Sequence, residues 1–274
     1  MLKTPGWEMM IVWYFFLGGI AGGAYFTGAI ADNFGGPSAR RVARTGYLLS
    51  LPLVALCGVL LIADLGVPLR FLNMMRVFKF WDPMSIGAWA VGVFGVFTFV
   101  SSVLSFSTSE SMIALRRKIG LVGILFGFFL ASYTGVLLSA TALPFWSQAR
   151  LMGALFLASG ASTGMAAISL LMLVTGAGAS EGLAAVKRAD RYSIIIELCM
   201  LALFLALLGS AARPITTGHF ALLFWAGLVG LGLLVPLVLD FAAHGMRTVN
   251  AVAAVLVLAG GFVLRYVVLM SIQT

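Results

Sequence analysis

Few residues in this sequence could do chemistry, and most of them lie inside hydrophobic runs. Tyr133 sits near the end of one run, among the hydroxyls of Ser132, Thr134 and Ser139. Ser159, Ser162 and Thr163 lie between small residues in the next run, past a polar turn that carries Trp146 and Arg150. A phenol or hydroxyl both donates and accepts hydrogen bonds. Inside a hydrocarbon-spanning helix such a group is costly unless it faces a partner, a cavity or a ligand. Two readings follow. The hydroxyls bond one helix to another, or they line a pocket for a ligand with an apolar body and a polar head.

The carboxylates divide in the same way. Asp64 closes an apolar run, where it either pairs with Arg70 or takes and passes protons. Glu197 lies inside a later run, Asp240 ends another, and Arg265 is embedded in the last. A proton route and a structural pairing are both open for Glu197, Asp240 and Arg265. Asp32 and Asp240 also read as ordinary residues of the membrane boundary. Cys57 and Cys199 each stand alone in an apolar run, so they read as packing residues with no cluster or zinc spacing. His219 and His244 flank one span at opposite faces, about 38 Å apart along a helix. That separation argues against a haem held between two histidines of this protein. No metal site is expected.

The elements that must position these residues are set by composition. The 274 residues are 62% hydrophobic and 9% charged, with mean hydropathy +1.10, a balance that excludes a soluble domain. A span takes about 20 apolar residues, and the runs 9–31, 45–65, 83–106, 118–139, 151–175, 192–210, 218–241 and 248–271 qualify. Each must be a helix, because a backbone in lipid has to satisfy its own hydrogen bonds. The expected fold class is therefore all-α: a single membrane domain, 1–274, built as an eight-helix bundle. The first run lacks a basic leader and a cleavage site, and reads as a retained span. GGIAGG at 18–23 and the pair Gly160/Gly164 are small-residue patterns for close helix packing.

The net charge of +8 lies in short loops, where orientation and anionic lipid account for it better than nucleic acid does. One face collects ten basic residues: Arg40, Arg41, Arg44, Arg116, Arg117, Lys118, Lys187, Arg188, Arg191 and Arg247. The other has six: Lys3, Arg70, Arg76, Lys79, Arg150 and Arg213. The richer face is expected in the cytoplasm, with both termini outside. Asp64, Tyr133, Trp13, Tyr14 and Trp89 then share one depth, the outer leaflet, with Ser159 and Thr163 somewhat deeper. The outer loop 66–82 alternates Arg70, Arg76 and Lys79 with Phe71, Phe78, Phe80 and Trp81. It reads either as an interfacial segment with aromatics at headgroup level or as a docking surface for a peripheral protein. Basic residues on the disfavoured side tilt the reading to docking.

The stretches WYFFLGGIAGGAYF (13–26), IADLGVPLRFLNMMRVFKFWDPMSIGAWA (62–90), YTGVLLSATALPFWSQARLMGALFLASGASTG (133–164), DRYSIIIEL (190–198) and GGFVLRY (260–266) resemble the membrane subunits of the NrfD/PsrC type, named for nitrite and polysulfide reductase complexes. The resemblance implies a haem-free subunit of a bacterial or archaeal cytoplasmic membrane, working in anaerobic respiration. Such a subunit exchanges electrons between membrane quinone, menaquinone or ubiquinone, and an extracytoplasmic partner. That partner is a ferredoxin-like four-cluster iron–sulfur subunit, often joined to a molybdopterin catalytic subunit. The family's tyrosine in YTG corresponds to Tyr133 and its acid in IADLG to Asp64. Where some members carry His or Asn in the first span, this sequence has Trp13 and Tyr14.

The expected function is thus that of a quinone-reactive anchor subunit of an oxidoreductase complex, inactive alone. Tyr133, Asp64, Trp13, Tyr14, Trp89, Ser159 and Thr163 are the expected quinone-site residues, and Asp64, Glu197, Asp240 and Arg265 the proton-transfer candidates. Arg70, Phe71, Arg76, Phe78, Lys79, Trp81 and Trp146 are the expected docking residues. Competing readings are an ion or proton transporter, whose matched broken helices are absent from the sequence, and a passive anchor with no ligand site.

Overall fold

The computed structural model describes residues 9–65, 67, 71–79, 81–141, 144–176, 181–242 and 246–273. Eight helical segments are long and apolar enough to cross a membrane, and no strand occurs among the described residues. The spans are α1 (Met9–Phe34), α2 (Arg40–Asp64), α4 (Pro83–Leu104), α5 (Glu110–Ser139), α7 (Met152–Val174), α8 (Glu181–Leu208), a π-wound stretch Leu223–Leu234 continued by α10 (Val235–Ala242), and α11 (Arg247–Met270). Short helices α3 (Phe71–Arg76), α6 (Pro144–Gln148) and α9 (Arg213–Thr216) lie in the connections.

Three helices begin well before the apolar runs do. α2 starts at Arg40, α5 at Glu110 and α8 at Glu181, against expected starts of 45, 118 and 192. Hydropathy marks where a helix meets hydrocarbon, whereas the helix itself continues into the charged boundary, where its basic residues meet water and headgroups. Glu197 stands 16 residues into α8 (197 − 181) and meets Ser162 at the middle of α7. The seventh span also departs from an ordinary α-helix. Its wider turns carry Gly227, Gly230 and Gly232, which have no side chain to crowd them, and a β-carbon on Gly232 would stand 2.5 Å from the Cα of Gly260 in α11.

α1 is the central helix and the most buried span, packed against α2, α5, α7 and α11. Its glycines explain the position. A β-carbon at Gly22 would lie 2.6 Å from the Gly127 carbonyl oxygen of α5, and one at Gly160 would lie 3.1 Å from the Gly19 carbonyl oxygen. Gly23 packs on Gly160 and Gly164 more closely still. The small-residue patterns at 18–23 and 160/164 therefore bring backbones into contact, as expected of membrane helices that gain little from hydrophobicity between themselves. Outward faces carry Leu125, Phe99, Val59 and Leu207, exposed to the lipid side.

One polar tie closes the basic end of the bundle. Asp32, at the end of α1, is buried and accepts from Arg116 Nε and Nη2 of α5, both at 2.7 Å. Tyr47 of α2 donates to the same carboxylate at 3.4 Å. Asp32 is thus an internal anchor and not an exposed boundary residue, because α5 extends far enough to bring Arg116 down onto it.

Candidate functional site

At the opposite end, Phe129 and Tyr133 stand one turn apart on α5 with rings stacked at 5.4 Å. Tyr133 is buried and its hydroxyl donates to the Pro83 carbonyl oxygen at the first turn of α4. The ring fits there because residue 87 is glycine: a β-carbon would come within 2.6 Å of the phenol. The start of α4 is itself set by Asp82, whose carboxylate accepts from the Met84 N–H at 3.1 Å as an N-cap, ahead of Pro83 in the first turn.

Beside this pair lies a cavity of about 600 Å³ between α4 and α5, lined by Ile86, Trp89, Ala90, Val93, Phe126 and Phe129, with Phe78 of the connection before α4 at its edge. The volume falls in the range of small-molecule sites, about 300–1,000 Å³. The walls are apolar apart from Trp89, whose indole N–H is buried with no hydrogen-bond partner among the described residues. A buried donor left unpaired is costly, so this one is available to an acceptor on a bound molecule.

The other residues expected here divide. Tyr14 is buried on α1. Cys57 of α2 donates weakly to the Tyr14 carbonyl at 3.7 Å, so α1 and α2 meet there. Asp64 lies two turns beyond Cys57 on α2, half-buried at the helix end. Trp13 points elsewhere. It is 43% exposed and packs on Phe262 of α11 at 4.6 Å, because successive residues of a helix are about 100° apart and only one of the pair can face α5.

Ser159 and Thr163 belong to a second site. Ser159 Oγ accepts from Arg265 Nη1 at 2.6 Å, and the Glu197 carboxylate accepts from Ser162 Oγ at 2.6 Å. Thr163 donates to the Ser159 carbonyl at 2.7 Å and braces that turn. Arg265 and Glu197 are both buried, each held by a serine of the same turn of α7. Room for the guanidinium comes from glycine on both sides: a β-carbon at Gly19 would stand 2.8 Å from Nη2, and one at Gly261 3.2 Å from Nη1. The guanidinium also sits over the Phe156 ring at 5.2 Å.

The polar groups continue toward the basic end. Asp190 lies seven residues before Glu197, on the same face of α8, and its Oδ1 is buried without a partner among the described residues. It borders a cavity of about 30 Å³, the space of a water molecule, together with Ser169, Lys187 and Asp240. Asp240 accepts from Arg191 at 2.6 Å, and Lys187 donates to Asn250. Asp190 was not among the expected site residues, although its i, i+7 spacing to Glu197 was a legible signal.

In the connection between α2 and α4, Arg76, Phe78, Lys79 and Trp81 are exposed, Trp81 by 69%, while Phe71 is half-buried. Arg70 and Phe80 lie outside the described residues, as does His244. Trp146 is fully buried and donates from Nε1 to the Val268 carbonyl at 2.9 Å, so it joins α6 to α11 and presents no surface to a partner.

An all-α bundle of eight spans, with a cavity facing lipid at one end and a buried acid–base network through its centre, defines a polytopic membrane protein with internal polar sites. The family described as "Polysulphide reductase, NrfD" matches residues 2–274, and the chain belongs to that family. It is 30% identical to the polysulfide reductase C subunit of Wolinella succinogenes, over 99% of this sequence and 96% of that one. It is also 28% identical to an NrfD homolog of Haemophilus influenzae, over 98% and 96% of the two sequences.

Proposed function

We propose that the protein is the quinone-reactive membrane subunit of a multi-subunit oxidoreductase, passing electrons between membrane quinone and an iron–sulfur subunit docked on its outer face. The observation that carries this reading is the cavity of about 600 Å³ beside Tyr133, apolar except for the unpartnered Trp89 N–H. The name of the Wolinella relative, one subunit of a reductase, supports a place in a complex with catalytic and electron-carrying partners. A ferredoxin-like four-cluster subunit and a molybdopterin subunit are the proposed partners, in a cytoplasmic membrane of a bacterium or archaeon.

In this reading Phe126, Phe129 and Trp89 hold the apolar ring and tail. The Tyr133 hydroxyl, now on the Pro83 carbonyl, turns to donate to a quinone oxygen. Oxidation of a quinol releases two electrons and two protons. The electrons leave to the partner's cluster, and Asp64 at the end of α2 receives the two protons in turn and passes each to the aqueous boundary. Arg76, Lys79, Phe78 and Trp81 form the docking surface that brings the cluster close. A second reading, proton passage through the bundle, is favoured by the buried Arg265, Ser159, Ser162 and Glu197, followed toward the basic end by Asp190 and Asp240.

The test is quinol-dependent reduction of the partner's clusters in the assembled complex. Tyr133→Phe removes one hydrogen bond, worth about 0.5–1.5 kcal/mol net, and should raise the KM for quinol by about tenfold or less. Ala90→Leu should fill the cavity and raise KM by about tenfold or more. Asp64→Asn should lower kcat more than it changes KM. Wild-type turnover by all three, in complexes that assemble normally, would place the quinone site elsewhere.

A further inference from the structure

The geometry points to a second ligand site at the basic end of the bundle: a pocket that holds the phosphate of an anionic membrane lipid. A cavity of about 290 Å³ lies where the start of α2, the end of α4 and the start of α5 meet, and Ser102 of α4 donates to the Tyr47 carbonyl of α2 at 2.9 Å to hold these ends together. Its walls carry Arg40, Arg41 and Arg44 from the first two turns of α2, and Arg116 from α5. The turn that aims the three α2 arginines is tight. Gly36 has φ +66°, a left-handed conformation open to glycine, and Pro37 follows it.

The charge in this pocket is not balanced by the protein. Arg116 is committed to Asp32. Arg40, Arg41 and Arg44 have no carboxylate within 4.0 Å among the described residues, and the acid on the lining, Glu110, pairs with none of them. Three cations therefore face one unpaired carboxylate. Ser107 and Thr108 add hydroxyls to the same wall, and a phosphate accepts from both kinds of donor. Arg44 lies over the Phe106 ring at 4.4 Å, which holds its guanidinium at the mouth of the pocket.

What selects a lipid over a free anion is the surface leading away from the pocket. Val96, Phe99 and Val103 are each more than half exposed and recur at intervals of three and four along α4, and the equally exposed Phe106 follows in the turn after its end. That spacing makes one stripe along the helix, running from the middle of the span up to the arginines. A phosphate at the arginines would lay an acyl chain along it. Positive charge at a membrane boundary satisfies orientation by its number alone. The convergence of three unpaired arginines, two hydroxyls and an apolar track on one cavity is a further arrangement.

The experiment uses the full-length protein purified from membranes, stripped of lipid in detergent and weighed intact by native mass spectrometry. It is titrated separately with phosphatidylglycerol, cardiolipin, phosphatidylcholine and inorganic phosphate. The wild-type protein should retain one anionic lipid in preference to phosphatidylcholine, and millimolar phosphate should not displace it. Each arginine near an anionic headgroup contributes about a fivefold change in binding. Arg40→Gln with Arg41→Gln and Arg44→Gln should therefore weaken retention about a hundredfold. Should the triple variant fold poorly, Arg44→Gln alone is read, with a loss of about fivefold. Arg188→Gln, exposed on the same membrane face but outside the cavity, should change nothing. Equal retention of phosphatidylcholine, undiminished anionic-lipid binding in the α2 variants, or an equal loss with Arg188→Gln would each overturn the proposal. Displacement by millimolar phosphate would overturn the lipid occupant and leave a free-anion site.

Discussion

Arg116 grips Asp32 through two bonds of 2.7 Å, although 84 residues separate them in sequence. The pair locks α1 to α5 at the basic end, and Tyr47 of α2 adds a third helix to the same carboxylate. Both charges are nearly removed from solvent, so each depends on the other.

Breaking that pair should be costly. Removing one partner of a buried ion pair leaves an uncompensated charge and costs about 3–5 kcal/mol. Asp32→Asn should clearly lower the thermal unfolding midpoint of the detergent-purified protein. The double change Asp32→Leu with Arg116→Met should unfold at a higher temperature than Asp32→Asn, since it leaves no orphaned charge. An unchanged midpoint in Asp32→Asn would show that the pair does not bear on stability.

In the reading of proton passage through the bundle, the central network lets electron transfer and proton movement be separated. Glu197→Gln keeps the Ser162 bond and removes the exchangeable charge. In vesicles carrying the assembled complex, it should leave quinol-linked electron transfer within about threefold of wild type, since a group remote from the head should shift the barrier by less than about 0.7 kcal/mol. It should also abolish any proton uptake coupled to that transfer. Ser162→Ala should act in the same direction and more weakly. If coupled proton movement survives Glu197→Gln, the network is structural.

In the proposed complex, docking is a collective effect of the connection between α2 and α4. Exposed ion pairs contribute about 0–1 kcal/mol each, so single changes at Arg70, Arg76 or Lys79 should be hard to detect. Changing all three to Gln should lower the salt concentration that strips the iron–sulfur subunit from purified membranes. Trp81→Ala should weaken retention at any salt, because the ring is the most exposed aromatic described in this connection. Normal retention in both variants would leave this connection as an interfacial anchor.

The ten-to-six asymmetry of basic residues sets the topology prediction. In a background without Cys57 and Cys199, cysteine at Ser109 should react with a membrane-impermeant maleimide only after intact cells are opened. Cysteine at Gln273 should react in intact cells. Both positions are exposed, so burial does not confuse the result. The reverse pattern would put Tyr133 and the docking surface on the cytoplasmic side.

The sequence by itself determined the number of spans, the helix class and the glycine contacts. Hydrocarbon forces a backbone to bond to itself, and small residues at Gly22, Gly23, Gly160 and Gly164 have no other use at that spacing. It also determined that Tyr133 and Arg265 are embedded, since both stand inside apolar runs. Helix ends were less legible. α5 runs on past its apolar core, and that extension brings Arg116 against Asp32. Which polar residues meet was decided only by the tertiary structure. Depth along a span can be counted, but the direction in which a helix turns its faces depends on every neighbour at once. Trp13 and Tyr14 are adjacent in sequence, yet Trp13 packs on Phe262 of α11 while Tyr14 is buried beside Cys57 of α2. α7 turns Ser159 toward Arg265 and away from the cavity between α4 and α5. The arginine pocket at the ends of α2, α4 and α5 likewise exists only once three distant helix ends are brought together.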